Sequence, residues 1–268
     1  MAFLTLFLVG LVAAASAAPE SRIVGGNPVT IEEFPYIVAF TYLYPGPGIT
    51  VQRCVGSLLS SWHVLTSGFC FTGAVLPNMQ VRAGSTNSLS GGILVNIRDV
   101  VKHEDYVEWP RAFDVAVTFL QDALGITDAI NILYLPPPNT LIPDDFTVKV
   151  VSWGFESETG PQLEILKTVN LAKVNVDQCK EIYADSEYVA INVICANAVG
   201  QGMCLGDSGA PMVINNVLVG TSSYFETCGA DEYPDVFTRI DQYTEWILSV
   251  AAAGRSGPAL RAAPTVSK

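Results

Sequence analysis

Apolar positions in this chain fall into short runs that Gly, Pro, Asn or Ser residues interrupt roughly every dozen residues. The runs are rich in β-branched and aromatic side chains, for example YIVAFTYLY, TVKVVSW and VLVGTSSY. Such segments favour strands, and long stretches with helical spacing are almost absent. The pattern therefore predicts an all-β fold, a sandwich or barrel of antiparallel strands, and disfavours a β/α fold.

Three segments depart from this pattern. Residues 135–145 contain four prolines and separate two β-rich halves of similar length, which indicates two packed subdomains joined by an irregular connection. From Asp241 to Ala253, an acidic start, apolar residues at helical spacing and a following Gly254 predict a C-terminal helix. Residues 254–268 are rich in Ala, Pro, Gly and Ser, and we expect a disordered tail there.

The amino-terminal residues are typical of a secretory signal peptide. An apolar run from Ala2 to Val12, too short to span a bilayer comfortably, precedes the small residues Ala15-Ser16-Ala17. A basic segment before the run is missing, and a cytosolic chain that begins with a buried helix is the alternative. We predict a signal peptide over 1–17 and a secreted, extracellular protein with no membrane anchor.

The charge of the chain argues against one class of partner. Its 268 residues include 26 acidic and 14 basic side chains, which gives a formal net charge of −12. Such a charge repels phosphate backbones and anionic lipid, so we expect no nucleic-acid partner. Half of the residues are apolar, enough for the core of one large or two small β domains.

The chain contains an even number of cysteines, which favours disulfides in an oxidising compartment. The six are Cys54, Cys70, Cys179, Cys195, Cys204 and Cys228. Their number alone leaves the pairing open. A zinc site is the weaker interpretation, because no CxxC pair occurs and the only histidines, His63 and His103, lie far from any cysteine cluster.

Five stretches follow one another between Arg22 and Ile247: RIVGG, CVGSLLSSWHVLTSGFC, FDVAV, VVSWG and GMCLGDSGAP. Together they resemble the chymotrypsin-like family of serine peptidases. The resemblance implies a domain over 23–253 with two antiparallel six-stranded β-barrels and a site between them. It also implies the disulfides Cys54–Cys70, Cys179–Cys195 and Cys204–Cys228. No carboxylate occurs between Gly84 and Asp99, where calcium-binding relatives carry their ligands, so we predict no calcium site there. We also expect no other metal and no cofactor.

A serine peptidase needs a nucleophile, a base, a carboxylate that orients the base, and donors for the developing oxyanion. The resemblance assigns Ser208 of GDSG as the nucleophile, the backbone N–H groups of Gly206 and Ser208 as oxyanion donors, and Asp114 of FDVAV as the orienting carboxylate. We further expect Ser223 to donate a hydrogen bond to Asp114, and burial to raise the pKa of that carboxyl.

The position of the base differs from the family pattern. Family members read close to LTAAHC where this chain reads LTSGFC, so Phe69 occupies the histidine position beside Cys70. A phenyl ring neither accepts nor donates a proton. We assign His63 to a structural strand and His103 to an outer loop, and we expect neither to replace the base.

The resemblance places the primary-specificity pocket at Gly202, at Ser223, Tyr224 and Phe225, and at Asp235. Gly202 gives the base of the pocket no charge, unlike a trypsin-like Asp. Phe225 replaces a glycine that admits a substrate side chain, so we expect an obstructed entrance; a Phe225 ring turned to solvent is the alternative. In an open pocket, Asp235 would give the wall a negative charge and favour a basic or polar guest.

RIVGG resembles a zymogen activation site. Cutting after Arg22 would remove an activation propeptide, 18–22, and create a new amino terminus on Ile23. In the family that ammonium pairs with the aspartate beside the nucleophile, here Asp207, and orders the oxyanion hole. The expected activator is a trypsin-like protease.

Three functions remain open from the sequence. The first is a monomeric, non-catalytic serine protease homologue, a pseudoprotease that binds a protein or peptide ligand in the cleft. The second is a secreted serine endopeptidase with weak or residual activity and a chymotrypsin- or elastase-like pocket. The third is a decoy for protease inhibitors, and an obstructed pocket counts against it.

Overall fold

The computed structural model describes residues 24–162, 164–184 and 192–254 together with Leu260 and Ala263. Within these residues no helix has both the length and the apolarity that crossing a bilayer requires. The signal peptide, the propeptide, Arg22 and Ile23 lie outside the described residues.

Six strands close the first barrel in the order β2-β3-β4-β7-β6-β5. They are β2 (Ile37–Tyr44), β3 (Ile49–Ser60), β4 (His63–Thr66), β5 (Met79–Ala83), β6 (Ile93–Lys102) and β7 (Ala116–Leu120). Every pairing between neighbours is antiparallel. A short two-residue strand, β1 (Asn27–Pro28), lies outside this barrel and pairs with the second sheet.

The second barrel follows a connection over residues 121–146, which includes the proline-rich break. Its strands are β8 (Thr147–Ser152), β9 (Lys167–Val174), β10 (Val193–Asn197), β11 (Pro211–Ile214), β12 (Val217–Tyr224) and β13 (Asp235–Arg239). They run in the order β9-β10-β13-β12-β11-β8, and pairing of β8 with β9 closes the ring. Two antiparallel six-stranded barrels confirm the predicted fold class.

The two barrels pack through strands that are buried on both faces. In β2, Val38 and Phe40 belong to the apolar cluster inside the first barrel, whereas Ile37 and Ala39 belong to the cluster that continues into the second. Alternate residues of a strand point to opposite faces, so a strand buried on both faces needs an uninterrupted apolar run. This is why IVAF shows no alternation with polar residues.

The described residues form two α-helices, α1 (Val176–Ile182) and α2 (Thr244–Ala253), and three 3₁₀ turns, Gly68–Phe71, Leu76–Asn78 and Ile240–Gln242. The predicted C-terminal helix is confirmed, but it begins at Thr244 because its first residues form the last 3₁₀ turn. The sequence reading missed α1, whose start is capped by the Asn175 side chain.

The segment after α2 departs from the expected disordered tail at its two described positions. Leu260 is only 9% exposed and packs into the larger apolar cluster. The N–H of Ala263 donates to the Leu135 carbonyl at 2.8 Å. A buried leucine and a backbone hydrogen bond supply the anchorage that the composition of residues 254–268 did not indicate.

All three predicted disulfides are confirmed: Cys54–Cys70, Cys179–Cys195 and Cys204–Cys228. The first links β3 to the turn that carries Phe69, and the third links the start of the GDSG segment to the loop after β12. The first disulfide thus ties the Phe69 turn to a barrel strand, and the third ties the GDSG segment to the loop after β12.

Candidate active site

The backbone of Phe69 lies in the 3₁₀ turn that follows β4, and the Ser67 side chain caps this turn. The Phe69 N–H donates to Asp114 Oδ1 at 2.9 Å. Residue 69 is thereby fixed against Asp114 through its main chain, independently of its side chain. The phenyl ring stands at this position without a nitrogen atom to share with the carboxylate or with a nucleophile.

Asp114 is buried, with 1% of its surface exposed, and its carboxylate accepts hydrogen bonds from three neighbours. The Ser67 hydroxyl lies 2.7 Å from both oxygens, the Ser223 hydroxyl donates to Oδ2 at 2.6 Å, and the Phe69 N–H completes the set. Burial raises the pKa of Asp114, and these hydrogen bonds oppose the shift. The expected Ser223 bond and the expected direction of the pKa shift are both present.

Ser67 is a site residue that the sequence reading missed, although the signal was present. Where the family reads close to LTAAHC, this chain reads LTSGFC, and the exchange of Ala for Ser adds a hydroxyl two residues before Phe69. That hydroxyl contacts Asp114, which the phenyl ring cannot bond. Ser67 thus helps to satisfy the carboxylate beside Phe69.

Arg111 was also missed, and it lies directly over Phe69. Its guanidinium carbon is 3.6 Å from the centre of the Phe69 ring and 5.9 Å from that of Tyr224. Nη1 donates to the Ser223 carbonyl. Arg111 belongs to an irregular loop, and no periodicity or motif in the sequence indicates that its side chain reaches across the cleft.

Ser208 lies on a tight turn that the two barrels hold from opposite sides. The Val55 N–H of β3 donates to the Ser208 carbonyl at 2.9 Å, and the Gly209 N–H donates to the Ser222 carbonyl of β12 at 2.8 Å. Gly206 and Gly209 adopt φ values of 87° and 86°, which disfavour other residues. Among the described residues, the N–H groups of Gly206 and Ser208 donate to no protein acceptor, so both remain free for a ligand oxygen.

A glutamine braces the same turn, and sequence reasoning did not identify it. Gln52 Nε2 donates to the Gly206 carbonyl at 2.7 Å and to the Cys54 carbonyl at 3.0 Å. The Gln162 amide nitrogen donates in turn to Gln52 Oε1 at 2.6 Å. With the Gly206 carbonyl bonded in this way, the peptide unit between Gly206 and Asp207 is held in one orientation.

Both histidines are engaged elsewhere. His63 is buried with Nδ1 2.7 Å from the Ser60 hydroxyl, and burial lowers its pKa. The His103 ring stacks on Phe113 at 5.0 Å between centroids. Within the described part of the chain, neither imidazole forms a hydrogen bond with Ser208.

Asp207 lies beneath the nucleophile turn. Its carboxylate accepts the N–H of Gly154 at 2.9 Å and that of Cys204 at 2.8 Å, and burial raises its pKa to about 6. Ile23, its expected ammonium partner, is not among the described residues, but the next residue, Val24, forms a β-bridge with Gly202. The chain therefore already passes beside the 202–207 segment.

Asp235 and Gly202 lie together at the pocket position. Asp235 Oδ2 accepts the Met203 N–H at 2.8 Å, and a Cβ atom on Gly202 would come within 2.9 Å of the same oxygen. Burial, and then repulsion by Asp207, raise the pKa of Asp235 to about 8. A pKa of about 8 favours the protonated side chain at neutral pH, which weakens the negative charge that Asp235 would give to an open pocket.

The residues at the pocket entrance are half-buried. Phe225 packs against the larger apolar cluster, which counts against a ring turned freely to solvent. The Tyr224 hydroxyl donates to Glu226, and the Tyr224 ring lies 5.9 Å from that of Tyr183. No group of three or more His, Cys, Asp or Glu residues in the described ranges is arranged to hold a metal ion.

Comparisons with known proteins agree with this geometry. The sequence profile of the family described as Trypsin matches residues 23–247. "Trypsin, alkaline C" from Manduca sexta is 33% identical over 91% of this chain and 97% of its own. "Trypsin 5G1" from Aedes aegypti is 32% identical over 87% and 86%, respectively.

Two solved structures share the fold. The scabies mite inactivated protease paralogue S-D1 superposes with a TM-score of 0.76 at 24% identity, over 87% of this chain and 99% of the other. Human heparin binding protein superposes with a TM-score of 0.74 at 24% identity, over 88% and 99%.

Proposed function

The chain belongs to the trypsin family, and from that premise we propose that it is a secreted, monomeric member without protease activity whose cleft binds a protein or peptide ligand. The observation that carries the proposal is Phe69. Its main chain is fixed on the Asp114 carboxylate, while its side chain has no atom that exchanges a proton.

The missing proton acceptor decides the chemistry. When Ser208 attacks a carbonyl, its proton must move to a base and then to the leaving amine. The positions of His63 and His103 leave no imidazole to take it. Loss of a triad histidine costs on the order of 10⁶ in turnover, and oxyanion donors with substrate binding retain only about 10³ to 10⁴ over water.

The activation apparatus supports a regulated binding protein. Arg22 is followed by Ile23, and burial raises the pKa of the Asp207 carboxyl to about 6 although hydrogen bonds oppose the shift. An ammonium on Ile23 would stabilise its ionised form. We infer that a trypsin-like protease cuts after Arg22 and thereby rigidifies the ligand-binding cleft.

A weak endopeptidase is the second candidate. The free N–H groups of Gly206 and Ser208 favour it, as do relatives named as trypsins and a vitellin-degrading protease from Bombyx mori. The uncharged Gly202 and the mainly protonated Asp235 would then direct the pocket to apolar rather than basic side chains.

A serine-directed fluorophosphonate separates the two functions, because labelling requires an activated hydroxyl. We expect the protein cleaved after Arg22 to show no labelling above the Ser208→Ala variant and no turnover of a peptide substrate panel. Rapid labelling, with turnover comparable to an ordinary trypsin that Ser208→Ala abolishes, would overturn the proposal.

A further inference from the structure

The guanidinium of Arg111 is a cation placed inside the cleft that forms no direct ion pair with any described residue. One face covers the Phe69 ring, and Nη1 donates to the Ser223 carbonyl. Nε and Nη2 donate to no acceptor among the described residues, and Arg111 forms no ion pair there. A planar guanidinium held in this way presents its remaining fork of N–H donors to a ligand.

Asp114 attracts this charge electrostatically, but no described carboxylate bonds the guanidinium directly. Asp114 is buried, and its oxygens are already bonded by Ser67, Ser223 and the Phe69 N–H. Glu108 is exposed, and Glu226 bonds the Tyr224 hydroxyl. In a chain with a net charge of −12, Arg111 is a half-buried cation that interacts with Asp114 without a hydrogen bond, and its remaining N–H donors can bind a ligand carboxylate.

The hydrogen bond from Arg111 to the Ser223 carbonyl also places the guanidinium beside the main chain of β12. Arg111 bonds the backbone carbonyl of Ser223, near the end of β12. This end of β12 lies beside the Ser208 turn, because the Gly209 N–H donates to the Ser222 carbonyl. An extended peptide that runs along residues 223–225, beyond the β11 pairing, meets the guanidinium at that acceptor. A ligand carboxylate would therefore engage Arg111 in the same place where its main chain enters the cleft.

We propose that Arg111 is the specificity-determining residue of the cleft and accepts a carboxylate of the bound ligand, so that the ligand is an acidic peptide segment. This inference rests on the proposed binding function. Planar bidentate pairing suits arginine better than lysine, and a hydrogen bond between charged groups in a partly dry site changes affinity by about tenfold to a hundredfold.

The test uses phage-displayed random peptides panned on the full chain cleaved after Arg22, followed by binding measurements with the selected synthetic peptides. We expect enrichment of Asp or Glu, and a loss of affinity of about tenfold to a hundredfold in Arg111→Gln. Arg111→Lys should keep part of the affinity. Lys180→Gln, which removes the same charge from the exposed surface of α1, should change it little.

A double-mutant cycle then uses a peptide in which the selected Glu is replaced by Gln. This peptide should bind native protein and Arg111→Gln equally well, because it lacks the carboxylate that Arg111 would bind. Peptides that protect residues 221–228 from hydrogen exchange yet show no acidic preference would overturn the role of Arg111 and leave the binding function standing. Failure of both native protein and Arg111→Gln to select any peptide would overturn the binding function and the inference with it. Equal unfolding midpoints of the variants exclude misfolding as the cause.

Discussion

Replacing Ser67 by Ala removes one hydroxyl from the floor of the cleft and tests how the buried carboxylate beside Phe69 is stabilised. The hydroxyl lies 2.7 Å from both oxygens of Asp114 and is fully buried. Its loss leaves Asp114 with the Ser223 hydroxyl and the Phe69 N–H. No water can replace the donor without entering a site that is closed to solvent.

The expected cost depends on the charge of Asp114. A hydrogen bond to a charged group contributes about 1.5–3 kcal/mol, and a neutral one about 0.5–1.5 kcal/mol. Burial raises the pKa of Asp114 in the folded state, so its ionisation costs stability as pH rises above the ordinary value of 3.8. Without Ser67 that pKa rises further, and the penalty of Ser67→Ala should therefore grow as pH increases through the folded-state pKa.

Urea unfolding between pH 4 and pH 8 measures the effect, and Ser88→Ala is the matched control. Ser88 is equally buried, but its hydroxyl has no hydrogen-bond partner among the described residues, so its removal should be neutral or slightly stabilising. In an Asp114→Asn background the pH dependence of the Ser67→Ala penalty should disappear. Equal free-energy changes for the two serine variants, or a Ser67→Ala penalty that does not vary with pH, would refute the reasoning.

Three further outcomes are expected. Phe69→His should give weak fluorophosphonate labelling, and adding Ser67→Ala should increase it by freeing the carboxylate for the imidazole; no labelling of either variant would contradict this. The Asp235 carboxyl has a pKa of about 8 in the folded protein and an ordinary value of 3.8. Because its ionisation is disfavoured in the folded state, the free energy of unfolding should fall by up to about 1.4 kcal/mol per pH unit between about pH 4 and pH 8. Asp235→Asn should flatten that slope in urea titrations, and an unchanged slope would exclude a perturbed Asp235. Gly209→Ala should cost more than about 3 kcal/mol because φ is 86° and its Cβ would lie 2.1 Å from the Val55 carbonyl oxygen; a thermal midpoint unchanged in calorimetry would contradict it.

The linear sequence was sufficient for the framework of this protein. Strand propensity and the spacing of Gly and Pro gave the all-β class, and five motifs implied the barrels, the three disulfides and the placement of Asp114 beside Ser223. These features are readable because each depends on local residue type or on a motif of fixed order. Helix α1 was not predicted, because its seven residues are too few to show a helical periodicity of apolar positions and its start is marked only by the Asn175 cap.

The environment of the cleft was decided by tertiary structure alone. Arg111 contacts Phe69, and Gln52 bonds Gly206. Both contacts join residues that are distant in the chain, and no sequence pattern encodes them. The charge of Asp235 also depends on tertiary structure. Its residue type predicted an anion, but enclosure in the folded chain raises its pKa to about 8, because the cost of removing a carboxylate from water depends on every atom packed around it.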